Sequence, residues 1–354
     1  MSTKNLSLIF TKIPEAFPVP GEHLTVKDVG FDLSQPAPPN GLVLETLYVS
    51  FDPYLRGLLR DPKIPSYMPP FPLNGPVVAA SLSKVLKSND PAFREGDIVQ
   101  DRLPVQQYNV WQPSESSPAK PRKIDPSAGP EDIRHYLGAL GMPGLTAYSS
   151  LYEIGKPKKG ETIVVTSAAG AVGQLVGQLA KHEGLKVLGS VGSDDKLEFI
   201  TKELGFDGGW NYKKEKSTKD AINRLTDGKG IDIFYDNVGG EQLEGAFDTL
   251  NLFGRIVECG QISQYNLPPD QRYPIRNTFQ TVAKRITMTG FMVGDANMGP
   301  KHFLEHQKNV GTWLKDGSFK AKIHEWQGME NAADAFVGML KGENFGKAVL
   351  KVKV

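Results

Sequence analysis

Apolar residues follow two different rhythms along this chain. Up to about residue 130 they come in short runs, near residues 42–48, 77–85 and 97–102, broken repeatedly by proline. Of the 26 prolines, 20 lie in residues 1–130. Proline cannot donate to a sheet ladder and keeps to turns, edges and bulges, so this part predicts a loop-rich β domain. From about residue 144 apolar strands alternate with amphipathic helices. Residues 163–166, 187–191, 231–236, 255–259 and 286–291 each read as a buried parallel strand, and residues 196–203, 218–225 and 242–252 as helices. A helix near 331–341 and a strand at 347–352 close the chain, residues 113–121 read as an exposed, mobile loop, and no internal repeat is present. At 354 residues the chain is long enough for two domains, each with its own core.

The junction after the first of these strands carries the first chemical signal. Residues 161–173 read Glu-Thr-Ile-Val-Val-Thr-Ser-Ala-Ala-Gly-Ala-Val-Gly, a strand entering a turn of small residues ahead of a helix. A helix N-terminus offers N–H groups and a positive dipole end to a dinucleotide pyrophosphate. The spacing is Ala168-x-Gly170-x-x-Gly173, with alanine where the usual fingerprint has its first glycine, and alone it equally suits a tight turn without function. The following residues extend it into a βαβ unit. Leu175, Val176, Leu179 and Ala180 keep helical spacing, Gly184 stops the helix, and Val187, Leu188 and Val191 form the second strand. That strand ends at Gly192, followed by Ser193-Asp194-Asp195-Lys196. An NAD enzyme usually places an acid at the strand end for the ribose 2′-hydroxyl. Here the strand end lacks one and a lysine follows, which favours NADPH. The alternative is that Ser193 or Asp194 caps the next helix and Lys196 is a solvated charge.

Charge and cysteine content narrow the class. Lys+Arg 41 against Asp+Glu 40 gives a net charge of +1, with no electrostatic case for nucleic acid or an anionic membrane. The run Lys213-Lys214-Glu215-Lys216 reads as a solvated loop. The single cysteine, Cys259, excludes an intrachain disulfide and a cysteine-rich zinc lobe. The apolar stretch between Lys4 and Lys12 is too short for a secretory signal, and no apolar run approaches a membrane span, so a cytoplasmic protein is expected.

Eight motifs then occur in order: Phe51-Asp52-Pro53-Tyr54-Leu55-Arg56, Gly141-Met142-Pro143-Gly144-Leu145-Thr146-Ala147-Tyr148, the Ala168 to Gly173 turn, Gly192-Ser193-Asp194-Asp195-Lys196, Asn211-Tyr212, Tyr235-Asp236-Asn237-Val238-Gly239-Gly240, Cys259-Gly260-Gln261-Ile262-Ser263-Gln264-Tyr265-Asn266 and Gly342-Glu343-Asn344-Phe345-Gly346-Lys347. This ordered set resembles the zinc-independent medium-chain dehydrogenase/reductases, in particular the prostaglandin reductase (leukotriene B4 dehydrogenase) and alkenal double-bond reductase group. The resemblance implies an α/β chain with a GroES-like β-rich catalytic domain, residues 1–134 completed by 316–354, and a Rossmann domain with a doubly wound parallel sheet, residues 135–315. It implies NADPH/NADP+ as cofactor, with Ala171, Val172, Gly173 and Gln174 against the pyrophosphate and Lys196 and Tyr212 on the 2′-phosphate. Asn237, Cys259, Gly260, Gln261, Ile262, Ser263, Tyr265, Phe291, Met292, Val293 and Asn344 complete the implied cofactor contacts, and a homodimer is implied. Leu55 departs from the methionine that members often carry, a nearly volume-conserving change in the substrate region.

The implied reaction is reduction of the C=C bond of a conjugated enal or enone, with hydride reaching the β-carbon and charge collecting on the carbonyl oxygen. The implied donor to that oxygen is Tyr265, with Tyr54 shaping the substrate pocket. Each residue also has a plainer reading. Cys259 can be a packed thiol, Asp52-Pro53-Tyr54 an ordinary turn, Asn237 to Gly240 a loop leaving a strand, and Tyr265 a half-buried aromatic. No metal is expected: the Gly-His-Glu triplet of the zinc enzymes is missing, and His302 and His306, four apart on a helix, read as a solvent-facing pair. A zinc-free quinone oxidoreductase, a dedicated enoyl reductase of a secondary-metabolite pathway, and a non-catalytic NADPH-binding protein fit the same residues.

Overall fold

The structure, a computed structural model, describes residues 3–114, 119–125 and 129–353; the middle of the expected 113–121 loop, residues 115–118, lies outside the described residues. The chain divides into two compact units. One comprises Met1–Leu137, Ile323–Asn344 and Ala348–Val354, and the other Gly138–Lys322 and Phe345–Lys347.

The first unit opens with β1 (Leu6–Phe10) and β2 (Leu24–Asp28), an antiparallel pair. Then come β3 (Leu42–Ser50), β4 (Val78–Ser88), β5 (Ile98–Pro104), β6 (Tyr108–Trp111) and β7 (Arg122–Ile124). The second unit runs α1 (Met142–Ser150), β8 (Thr162–Val165), α2 (Gly173–His182), β9 (Lys186–Val191), α3 (Asp194–Glu198), β10 (Gly208–Asn211), α4 (Thr218–Thr226), β11 (Ile231–Asp236), α5 (Gly240–Thr249), β12 (Leu250–Glu258), α6 (Gln280–Lys284), β13 (Thr287–Gly290) and α7 (Gly299–Lys315). The chain returns to the first unit with β14 (Ile323–Gln327), α8 (Ala332–Lys341) and β15 (Lys347–Lys351).

In the first unit the sheet order is β14-β15-β3-β4-β5-β7, with β6 paired to β3. Strand β3 has neighbours on both sides, which suits its run Leu42-Val43-Leu44, all fully buried. The turn after β3 drives Phe51, Leu55 and Leu58 into a core shared with Phe336 and Leu340 of α8, the Phe51 and Phe336 rings meeting edge-on at 5.6 Å. Two polar residues of this turn are buried with partners. Asp52 accepts from Ser50 Oγ at 2.5 Å, and Arg56 donates to the Pro14 and Ala16 carbonyls at 3.1 and 2.8 Å. Burial pulls the Arg56 guanidinium down to about 10.

The second unit is a six-stranded parallel sheet in the order β10-β9-β8-β11-β12-β13. Strand order reverses between β8 and β11, so the carboxyl ends of those two strands border the crevice where open α/β sheets bind ligands. One face is sealed by Val164, Leu188, Phe234 and Ile256 packed on Ala221, Ile222, Leu243 and Phe247.

Several expectations need correction. The helix expected at 196–203 starts at Asp194 and widens into a π-helical turn over Phe199–Glu203. The one expected at 242–252 ends at Thr249, because Leu250 is already extended, with ψ 140°, and begins β12. The strand expected at 286–291 is parallel but not buried. As an edge strand β13 has one neighbour, and Thr287, Met288 and Gly290 are exposed. His302 and His306 do not face solvent. Nε2 of His302 lies 2.7 Å from Glu153 Oε1, Nε2 of His306 lies 2.9 Å from the Ala139 carbonyl, and both rings pack on Tyr148. They seat α7 against α1, where a polar partner on each ring offsets the cost of burial.

Candidate active site

The turn after β8 is built by a serine in an uncommon conformation. Ser167 has φ +49°, and its carbonyl accepts from the Gly170 N–H at 2.8 Å, closing the turn in which Ala168 N–H reaches the Ser190 carbonyl of β9. Helix α2 then begins at Gly173 with no side chain capping its N-terminus. A Cβ at residue 173 would stand 2.4 Å from the Ser167 carbonyl oxygen and 2.8 Å from Ala168 Cα, so only glycine lets the helix start this close to the turn. Ala171 and Val172 lie half-buried at that opening. Gln174 differs: its side chain is buried and exchanges hydrogen bonds with the Lys322 backbone at 2.9 and 3.2 Å. Gln178 binds Lys320 in the same way, both bonds at 2.8 Å, so these two amides dock residues 320–322 along α2. Gly346 bridges to Gly170, bringing the segment two residues after Asn344 alongside the turn.

At the end of β9 the chain assembles cations and screens its acids. Tyr212 lies over Gly192, where a Cβ would be 3.2 Å from the phenol oxygen. Asp194 is paired with Asn211 Nδ2 at 2.9 Å and with the Lys214 ammonium, and these partners hold its carboxyl below its ordinary range. The Ser193 hydroxyl does the same for Asp195. Lys196 is half-buried: desolvation lowers its pKa first, Asp195 opposes this, and the Lys213 charge lowers it further. Lys196 is therefore not a fully solvated charge, whereas Lys213, Lys214 and Lys216 are exposed, as expected of a solvated loop. An uncapped helix start, a cradle that a Cβ would fill, and two ammonium groups in mutual reach suit a dinucleotide with an extra phosphate.

The switch point itself is organised by a residue the sequence reading did not single out. Asp236 ends β11 fully buried and accepts from Thr166 Oγ1 at 3.0 Å, Val238 N–H at 2.9 Å and Gly239 N–H at 3.0 Å. Asn237 is held to Thr166 twice, main-chain N–H to Oγ1 at 2.7 Å and Nδ2 to the carbonyl at 2.8 Å. The carboxyl ends of β8 and β11 are thereby tied together. An acid closing an otherwise apolar parallel strand was the available signal for Asp236.

Beyond β12 the chain stays alongside this knot. Cys259 and Gly260 N–H both donate to the Asp236 carbonyl, Ile262 to that of Asn237, and Ser263 Oγ to that of Val238 at 2.6 Å. The turn returns Tyr265 over Gly260. Its hydroxyl accepts the Gln261 N–H at 3.0 Å, and a Cβ on residue 260 would be 2.7 Å from that oxygen. Cys259 lies just past the strand end, and burial pushes its thiol up to about 12, so at neutral pH it is neither nucleophile nor acid. Phe291 and Val293 are half-buried and Met292 exposed beyond β13; Phe291 lines a cavity of about 570 Å³ with Glu153, Arg255, Thr287, Thr289 and Met298 along the sheet edge. In the first unit Tyr54 is half-buried. Desolvation, with help from Asp52, raises its phenol to about 12, so it stays protonated. Asn344 is half-buried in the same unit. Among the described residues no group of three or more His, Cys, Asp or Glu is placed to hold a metal ion. Nor is any helix among them long and apolar enough to cross a membrane.

Comparison with known proteins agrees with this architecture. Residues 9–118 match a family described as the N-terminal domain of oxidoreductase, and residues 171–308 one described as zinc-binding dehydrogenase. The chain is 48% identical to the NADP-dependent oxidoreductase RED1 of Cochliobolus heterostrophus, over 99% of this chain and 98% of that protein. It is 39% identical to the NADP(+)-dependent 2-alkenal reductase of Nicotiana tabacum, over 93% and 92%. The crystal structure of CurA from Vibrio vulnificus in complex with NADPH is similar at a TM-score of 0.88, with 33% identity and 99% of each chain covered. This chain belongs to the medium-chain dehydrogenase/reductase family of oxidoreductases.

Proposed function

We propose that this protein is an NADPH-dependent reductase of α,β-unsaturated aldehydes and ketones, acting on the C=C bond without a metal. NADPH, when bound, supplies the hydride that reaches the β-carbon. The observation that carries the reading is the Tyr265 hydroxyl, held by the Gln261 N–H above a glycine. A phenol that accepts an amide N–H is a stronger donor through its own proton, and that proton can be given to a carbonyl oxygen as enolate charge develops. Lys196, Tyr212 and Lys213 hold the 2′-phosphate, and the uncapped start of α2 with Ala171 and Val172 faces the pyrophosphate. Asn237, with Gly260 to Ser263, borders the nicotinamide, joined by Phe291 to Val293; Asn344 is assigned to the cofactor by its motif. Tyr54 is assigned to substrate contact by its motif. The NADP-dependent and 2-alkenal reductase relatives support this assignment.

We further propose a homodimer. The sheet ends at β13 with an unpaired edge, flanked by exposed Phe253, Phe279, Val282 and Met288. A second copy pairing its own β13 there would extend the sheet and cover these side chains in an isologous contact. Sedimentation equilibrium is expected to give twice the chain mass, and Met288→Lys to give the monomer.

Three further outcomes test the enzyme reading. Tyr265→Phe is expected to lower kcat about a hundredfold, the loss found on deleting one oxyanion donor, with little change in NADPH affinity. Unaltered turnover removes Tyr265 from the chemistry. Lys196→Ala should weaken NADPH binding by roughly 2 kcal/mol, as for a lost charge-assisted contact, and leave NADH nearly unchanged; equal weakening overturns the 2′-phosphate role. Finally, NADPH oxidation followed over a series of 2-alkenals and enones should persist with a chelator present. Loss on chelation overturns the metal-free mechanism, and turnover of quinones alone selects the quinone reductase alternative.

A further inference from the structure

Glu258 plays no part in the chemistry described so far, yet it lies directly opposite Asp236 in the register of β11 and β12. In a parallel pair, residues opposite one another project to the same side of the sheet, so the two carboxyls face each other at the sheet's carboxyl end. Their partners are unequal. Asp236 takes two main-chain N–H groups and a hydroxyl, which suits a carboxylate. Glu258 has one oxygen, Oε2, sealed from solvent with no hydrogen-bond partner among the described residues, while the Gln261 side chain hydrogen-bonds its carboxyl and opposes the raised pKa, the smallest of the three influences on it. The other neighbours offer no cation: residue 290, opposite on β13, is a glycine, and the Cys259 thiol is protonated and faces Tyr235. Asp236 is fully buried and Glu258 half-buried, and burial raises both carboxyls, Asp236 to about 6 and Glu258, with the added charge of Asp236, to about 7, so Asp236 gives up its proton first.

Gln261 connects this pair to the site. Its side chain meets Glu258, and its main-chain N–H holds the Tyr265 hydroxyl. We propose that Glu258 is a positioning residue, its protonated carboxyl packed between Asp236 and Gln261 so that the 259–265 turn holds the Tyr265 hydroxyl in place, and that loss of this proton displaces that hydroxyl. The sign follows from the raised pKa. The proton-bound arrangement is complete at acid pH and is lost as pH rises through about 7, when a second anion appears beside Asp236. The inference deepens the reading of Tyr265 as donor and rests on it.

The test reads Tyr265 directly and needs no turnover. The full-length protein is labelled with ring-13C tyrosine, the Tyr265 resonance is assigned by its loss in Tyr265→Phe, and its shift is followed across neutral pH. The expected result is a titration with a midpoint near pH 7 in the parent protein, abolished in Glu258→Gln, which keeps the shape but not the ionisation. A resonance that does not move in the parent, or that titrates identically in Glu258→Gln, overturns the proposal. Should Glu258→Gln fail to fold, Gln261→Ala serves instead: loss of the titration supports the relay and an unchanged titration overturns it. Whether Tyr265→Phe still turns over enones is read separately, so failure of the donor role and failure of the Glu258 coupling give different results.

Discussion

The second unit depends on one buried carboxylate. Asp236 stands where the strand order reverses, and burying an unpartnered charge there would cost several kcal/mol. Its three donors offset part of that cost, burial still raising its carboxyl to about 6, and they come from two pieces of the site: Thr166 from the end of β8, Val238 and Gly239 from the loop that starts α5. Its main-chain carbonyl then receives Cys259 and Gly260, which start the turn carrying Tyr265. Charge satisfaction at one point thus positions three loops.

The cofactor end is governed by where charges are neutralised. Two aspartates follow Gly192, and left bare they would repel a 2′-phosphate. Asp194 is taken up by Asn211 and Lys214 and Asp195 by Ser193, which leaves Lys196 and Lys213 to set the local potential. Asp195 already offsets the Lys213 charge at Lys196, and a phosphate between the two ammonium groups would add charge-assisted bonds that a bare ribose lacks. At the other end the thiol of Cys259 is held protonated by burial, and the absence of a side chain at residue 260 makes room for the Tyr265 hydroxyl.

Much of this was legible in the residues themselves. Alternation of apolar strands with helices after residue 144, the proline density before it, and the small-residue turn at Ala168 to Gly173 each reflect a local requirement: a buried strand must be apolar, proline cannot enter a ladder, and a helix can start against a turn only where a Cβ is missing. Local chemistry repeats wherever those conditions hold, so it reads directly from sequence. The lack of an acid at Gly192 was legible for the same reason.

What the tertiary structure decided are the relations between distant residues. Sequence spacing put His302 and His306 on one helix face but could not say that Glu153 and Ala139 wait there as partners. Composition made 286–291 look like an inner strand, while only the sheet order left it at the edge. Nothing local said that Asp194 would be taken up by Asn211 and Lys214, both distant in the chain. Asp236 and Glu258 are 22 positions apart in the chain, and nothing local marks them as a pair. Their ionisation depends on burial and on mutual approach, which exist only once β11 and β12 are side by side.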